Sequence, residues 1–320
     1  MDPDAWRQWR REEARRRTRR QRRAALIVAV GTVAVAAAAI VLLTGGSDET
    51  TSEAQSEPPP ELPRGGRAIF PNHTVVAFYG APQNDELGVL GIGSPAAAGR
   101  RLERQARRYR RRGRAVLPAF ELIATIAHSS PGDDGDHSER QSPRTIRRYL
   151  RAARARKALL ILDIQPGRAP FMREVRAFRR FLEEPDVSLA LDPEWSLAPG
   201  ELPGQQIGST DAAIVNRVSR YLSRIVQQGN LPQKLLVVHR FTHDMIENER
   251  ALQQHRGVAL TVNVDGFGDQ PNKITKYREF TRGRRDGHHG FKLFYGEDTN
   301  VMRPQQVLRL RPRPELIVYE

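Results

Sequence analysis

The chain has 320 residues, 39% of them hydrophobic, enough for the core of one large domain or two small ones. It contains no cysteine, which excludes disulfides, thiol catalysis and Cys-ligated zinc. The net charge of +15 suggests nucleic acid, but arginine greatly outnumbers lysine and much of the excess lies in residues 1–23, which disfavours that partner.

The first element is the basic segment 1–23, with Arg7, Arg10, Arg11, Arg15 to Arg17, Arg19, Arg20, Arg22 and Arg23. Residues 24–43, AALIVAVGTVAVAAAAIVLL, carry no charge and match the length of a helix that spans a bilayer. Positive charge on the N-terminal side predicts a cytoplasmic N-terminus and a C-terminal domain outside the cell membrane. The long basic flank and long apolar run favour an uncleaved single-pass anchor over a cleaved signal peptide. The lipid bilayer is therefore the expected partner of residues 24–43. Residues 44–66, TGGSDETTSEAQSEPPPELPRGG, have the composition of a disordered linker.

The globular domain is expected over 67–320. Eight apolar runs read as strands: 75–80, 115–123, 158–165, 187–195, 234–241, 258–268, 290–296 and 315–320. Helical patterns lie between them at 95–113, 143–157, 172–184 and 210–228. Eight strands with intervening helices over about 250 residues predict an α/β fold, a (β/α)₈ TIM-like barrel. With the last strand ending at Glu320, a terminal helix is missing from the expected set. A doubly wound open sheet is the alternative, but no glycine-rich dinucleotide fingerprint follows the first strand. The glycines of GVLGIGS read as a loop, with Ser94 and Pro95 starting the next helix.

Strand alternation picks out candidate site residues, because successive side chains point to opposite faces. In the fourth run Val187, Leu189 and Leu191 form the helix-facing side, leaving Ser188, Ala190, Asp192 and Glu194 to face inward. The same parity turns Asp163 and Gln165 inward in the third run, and Thr261, Asn263 and Asp265 in the sixth. It also places Glu121 and His239 inside. These polar groups sit near the C-terminal ends of their runs, where barrels of this class build active sites. A solvent-filled pocket would relieve the burial of so many carboxyls.

The segment LALDPEW is the sharpest feature. Asp192 and Glu194, two residues apart on one strand face, would start about 6.5 Å apart. Different surroundings can keep one such carboxyl protonated and the other ionised. Pro193 predicts that regular pairing ends there. Trp195 offers a flat ring for stacking on a sugar, or for packing under a loop. An Asp-x-Glu pair at the end of the fourth barrel strand resembles retaining (β/α)₈ glycoside hydrolases, the chitinase-like and lysozyme-like muramidase groups. The resemblance implies Glu194 as general acid and Asp192 as its electrostatic partner or as the orienter of an N-acetyl group. Glu121, Asp163, Gln165, Trp195, His239, Asn263 and Asp265 are the candidate substrate-binding residues. The chitinase-type Asp-x-x-Asp-x-Asp-x-Glu signature is not complete, since Ser188 and Ala190 precede the pair. The whole chain also looks similar to exported actinobacterial barrel proteins, which implies the fold and no activity.

The leading expectation is a membrane-anchored glycoside-hydrolase-like protein acting on a cell-wall or capsular glycan, polysaccharide or peptidoglycan, with no metal and no cofactor. A non-catalytic glycan- or peptide-binding barrel is the rival. A third reading is a metal-dependent hydrolase or isomerase, its cation held by a set drawn from Glu121, Asp163, Asp192, His239 and Asp265. His243, four residues after His239, suits helical ligand spacing better than a strand end. His288 and His289 read as surface loop. The basic stretch Arg100 to Arg114 reads as a solvated helix face.

Overall fold

A computed structural model describes residues 58–111, 113–283 and 287–320. The basic segment 1–23, the span read at 24–43 and linker residues 44–57 lie outside the described residues. Among the described residues no helix is long and apolar enough to cross a membrane.

The strands are β1 (His73–Gly80), β2 (Ala115–Ala127), β3 (Ser138–Arg140), β4 (Leu159–Ile164), β5 (Val187–Leu191), β6 (Thr210–Asp211), β7 (Lys234–Arg240), β8 (Ile246–Glu247), β9 (Val258–Val264), β10 (His288–Leu293) and β11 (Leu316–Tyr319). Eight of them, β1, β2, β4, β5, β7, β9, β10 and β11, pair in parallel in that order. β11 then pairs with β1, which closes the barrel. β2 overruns the barrel wall and carries β3 as an antiparallel partner, from Thr125↔Arg140 to Ala127↔Ser138.

The helices are α1 (Pro95–Arg107), α2 (Pro143–Arg154), α3 (Phe171–Ala177), α4 (Arg179–Leu182), α5 (Ala212–Gln228), α6 (Gln270–Thr281) and α7 (Pro304–Val307). Their starts are written locally. Ser94 and Ser142 cap α1 and α2 by accepting from Ala97 N and Thr145 N, each with proline in the first turn. Proline fits there because its missing N–H has no helical acceptor to lose. Asp211 and Asp269 cap α5 and α6 in the same way. The connection from β7 to β9 breaks the expected rhythm: it carries β8 and a 3₁₀ turn, Glu249–Ala251, instead of an α-helix.

Two apolar layers follow from strand parity. Leu160, Leu162, Ile164, Val187, Leu189 and Leu191 pack outward in the core shared with the helices. Val75, Leu117, Ile161, Ala190, Val237 and Val318 fill the barrel interior. The N-terminal end of that interior is closed by Leu62, Ile69 and Phe70. Gln233, just before β7, accepts from Ile69 N and Phe70 N. Arg67 ties the segment down by donating to Pro60 O at 2.8 Å and Asn230 O at 2.9 Å.

Residues 58–66, read from composition as the end of a linker, thus belong to the packed domain. Leu62 is 3% exposed. Leu62→Ala is expected to cost about 2–5 kcal/mol, the usual range for emptying a buried leucine site. Urea unfolding measures this; a linker residue would shift the midpoint negligibly.

Candidate active site

Every barrel strand delivers a polar side chain to the interior, at or just past its C-terminal end except for Glu121, which lies midway along the overlong β2. In order around the barrel these are Tyr79, Glu121, Asp163, Asp192, His239, Asn263, Lys292 and Glu320. Tyr79 pairs in register with Glu121, and His239 with Asn263. Asp265 follows one step above Asn263, and Gln165 one step above Asp163.

The ring is tied together by charged hydrogen bonds. His239 Nε2 lies 3.0 Å from Glu121 Oε1, and its Nδ1 lies 3.1 Å from Asp265 Oδ2. Asn263 Nδ2 lies 3.2 Å from the same Nδ1. Lys292 Nζ donates to Asp265 at 3.1 Å and pairs with Glu320 at 2.7 Å. Its ammonium also sits 3.9 Å from the centre of the Tyr79 ring. Tyr79 donates to Asp163 Oδ2 at 3.1 Å and accepts from Gln165 Nε2 at 2.9 Å. The other end of the Gln165 amide accepts from Ala127 N at 3.2 Å.

Charge balance follows from these contacts. Burial alone would lower the His239 pKa, but its bonds to Asp265 and Glu121 hold it well above the ordinary imidazole value. Burial likewise opposes the charge on Lys292, and Asp265 and Glu320 outweigh it, so its pKa is raised. Asp265 is held well below the usual carboxylate range, because Lys292 and His239 overcome its burial. Asp163 and Asp192 differ. Burial pushes each up to about 7, with Glu121 adding to the effect at Asp163 and Asp163 adding to it at Asp192. Five carboxyls therefore face two cations, an excess that favours the protonated form of the least well paired acids, Asp163 and Asp192.

The sequence-derived candidates meet here only in part as expected. Glu121, Asp163, Gln165, His239, Asn263 and Asp265 join one network with Asp192 close by. Glu194 and Trp195 do not continue the strand. β5 ends at Leu191, and Pro193–Trp195 form a 3₁₀ turn, so strand alternation does not set the direction of Glu194. Proline halted the pairing, and the turn took over. The expected solvent-filled pocket is also corrected: Asp192, Glu194 and Trp195 are 4, 5 and 7% exposed. Ion pairs offset the burial of Asp265, His239 and Lys292, whereas at Asp192 burial raises the pKa. An open groove of about 680 Å³ lies instead beside the β2–β3 hairpin, against His128, Asp134, Glu139, Arg140 and Glu174.

No family model matches the chain, and no curated protein matches it.

Three ring members were missed by reading the sequence: Tyr79, Lys292 and Glu320. The signal was present. Tyr79 shares parity with Val75 and Ala77, and Lys292 is the lone charge in GFKLFYG. Gly290 was also missed. A Cβ there would stand 2.4 Å from Asn263 Oδ1, so only glycine leaves Asn263 its place in the ring. His243 is not part of the site, since its side chain is 69% exposed and pairs with Glu279. His288 and His289 open β10 rather than lying in a loop, and His288 pairs with Glu315.

Proposed function

We propose that the protein is a membrane-anchored, extracytoplasmic hydrolase of a cell-wall or capsular glycan, working by carboxylate acid–base chemistry. The observation that carries this reading is the convergence of Asp163 and Asp192 at the C-terminal end of the barrel, with Glu194 on the turn that follows. That end is where enzymes of this architecture build their sites. In this reading Glu194 protonates the glycosidic oxygen, and Asp192 stabilises the charge that develops on the sugar. Trp195 packs against the sugar face. Because Glu194 and Trp195 are buried, glycan access requires the residues that cover them to move aside.

The full chain, purified in detergent and incubated with wall preparations, is expected to release soluble saccharides detectable by mass spectrometry. Clear binding without release supports the non-catalytic glycan-binding barrel instead. Neither binding nor release on any wall or capsular glycan sinks both glycan readings.

A further inference from the structure

We propose that Glu121, Asp163 and His239 form a binding site for one divalent first-row transition ion inside the C-terminal end of the barrel. The three residues stand on β2, β4 and β7, and a donor atom from each lies within 4.8 Å of the other two. Glu121, Asp163 and His239 are all 0% exposed. Strands of a closed barrel fix such positions more firmly than loops do.

An ion accounts for what the hydrogen bonds leave over. Glu121 Oε2 and Asp163 Oδ1 are buried and have no hydrogen-bond partner among the described residues. Orphaned buried acceptors are costly, and charged ones more so. A purely structural network, with an imidazolium clamped between Glu121 and Asp265, satisfies His239 but leaves both oxygens without a partner unless the two carboxyls share a proton, the alternative that failure to take up an ion would support. A cation between the two carboxylates would satisfy them together.

The spacing fits a coordination shell. Two donors each about 2.1 Å from one ion are about 3.0 Å apart in an octahedral shell and about 3.4 Å apart in a tetrahedral one. His239 Nε2 and Glu121 Oε1 are 3.0 Å apart. The outer contacts fit as well. Metal-bound histidines commonly hand their second ring N–H to a carboxylate, which fixes the tautomer and aims the other nitrogen. Asp265 takes that part at Nδ1, and is itself held by Lys292. An ion would replace the proton on Nε2 and add charge where carboxyls outnumber cations. Two carboxylates and one imidazole suit Zn²⁺ or Mn²⁺ better than Ca²⁺ or Mg²⁺, which prefer all-oxygen shells.

The test is direct binding, so it does not depend on glycan turnover. Tag-free full chain in detergent is stripped with chelator, then titrated with Zn²⁺ and with Mn²⁺ by calorimetry, with circular dichroism as the check on folding. One ion per chain is expected for at least one of the two metals. Glu121→Gln and Asp163→Asn should each weaken binding at least a hundredfold. Asp265→Asn, which keeps all three donors, should weaken it by about 10–100-fold. His243→Ala, on the surface, should leave it unchanged. The proposal is overturned if the folded wild type takes up neither ion, or if both carboxylate variants bind as the wild type does. Loss of binding in His243→Ala would overturn it too. Should a carboxylate variant fail to fold, the wild-type stoichiometry, Asp265→Asn and the His243→Ala control still decide the matter.

Discussion

Replacing Lys292 with methionine is expected to destabilise the barrel by about 3–5 kcal/mol, the range for stranding a buried charge by deleting its partner. Lys292 is 3% exposed and holds two carboxylates, Asp265 at 3.1 Å and Glu320 at 2.7 Å. Methionine fills similar volume and keeps the contact with the Tyr79 ring, but supplies no charge. Asp265 then keeps His239 and the Gly266 N–H but no lysine, and Glu320 loses its ammonium. For a domain of this size the midpoint of thermal unfolding should fall by about 10 °C. Arg179→Ala provides the contrast. Its pair with Glu183 has the same kind of charges, but both side chains are about half exposed. Water screens that pair, and little or no change in the unfolding midpoint is expected. Thermal unfolding followed by circular dichroism in chelator compares the two. Equal losses would mean that the ring network is no stronger than a surface contact.

Glu194→Gln is expected to lower saccharide release by about 10²–10⁴-fold, the usual contribution of acid–base assistance. The amide keeps the shape of the side chain but cannot deliver a proton as a carboxylic acid does. Binding of wall glycan should be retained, since the turn Pro193–Trp195 and its neighbours are unchanged. Unaltered release would remove Glu194 from the acid role. Loss of the folded state would make it part of a buried network instead. Released products and unfolding midpoints, measured on the same preparations, separate these outcomes.

Much of the architecture was legible because periodicity records which way a side chain faces. The runs around Leu160 and Val187 alternate cleanly, so their outward leucines and valines, and the inward Asp163 and Asp192, could be assigned before any coordinates. Alternation stops being informative where the strand stops. Glu194 was placed on the strand face, but Pro193 turns the chain one residue earlier. Ion pairing across the ring was not legible either. Lys292 and Asp265 are distant in sequence, and only closure of β9 against β10 brings them within 3.1 Å. Without those pairs in view, a row of inward acids calls for water; with them, it can be dry. Composition misled at the N-terminal side. PPPELPRGG has the makeup of a spacer, yet Leu62 within it, with Ile69 and Phe70 just after it, is enough to cover the barrel's end.

That cover gives the molecule two unlike poles. Residues 62–70 seal one pole, and the polar ring occupies the other, at the far ends of the same strands. Whatever precedes residue 58 joins the barrel at the sealed pole. A tether pulling from that side loads the stopper and the starts of the strands first, and the strand ends bearing His239 and Asp163 last. The polar ring and the point where residue 58 enters the domain thus lie at opposite ends of the barrel.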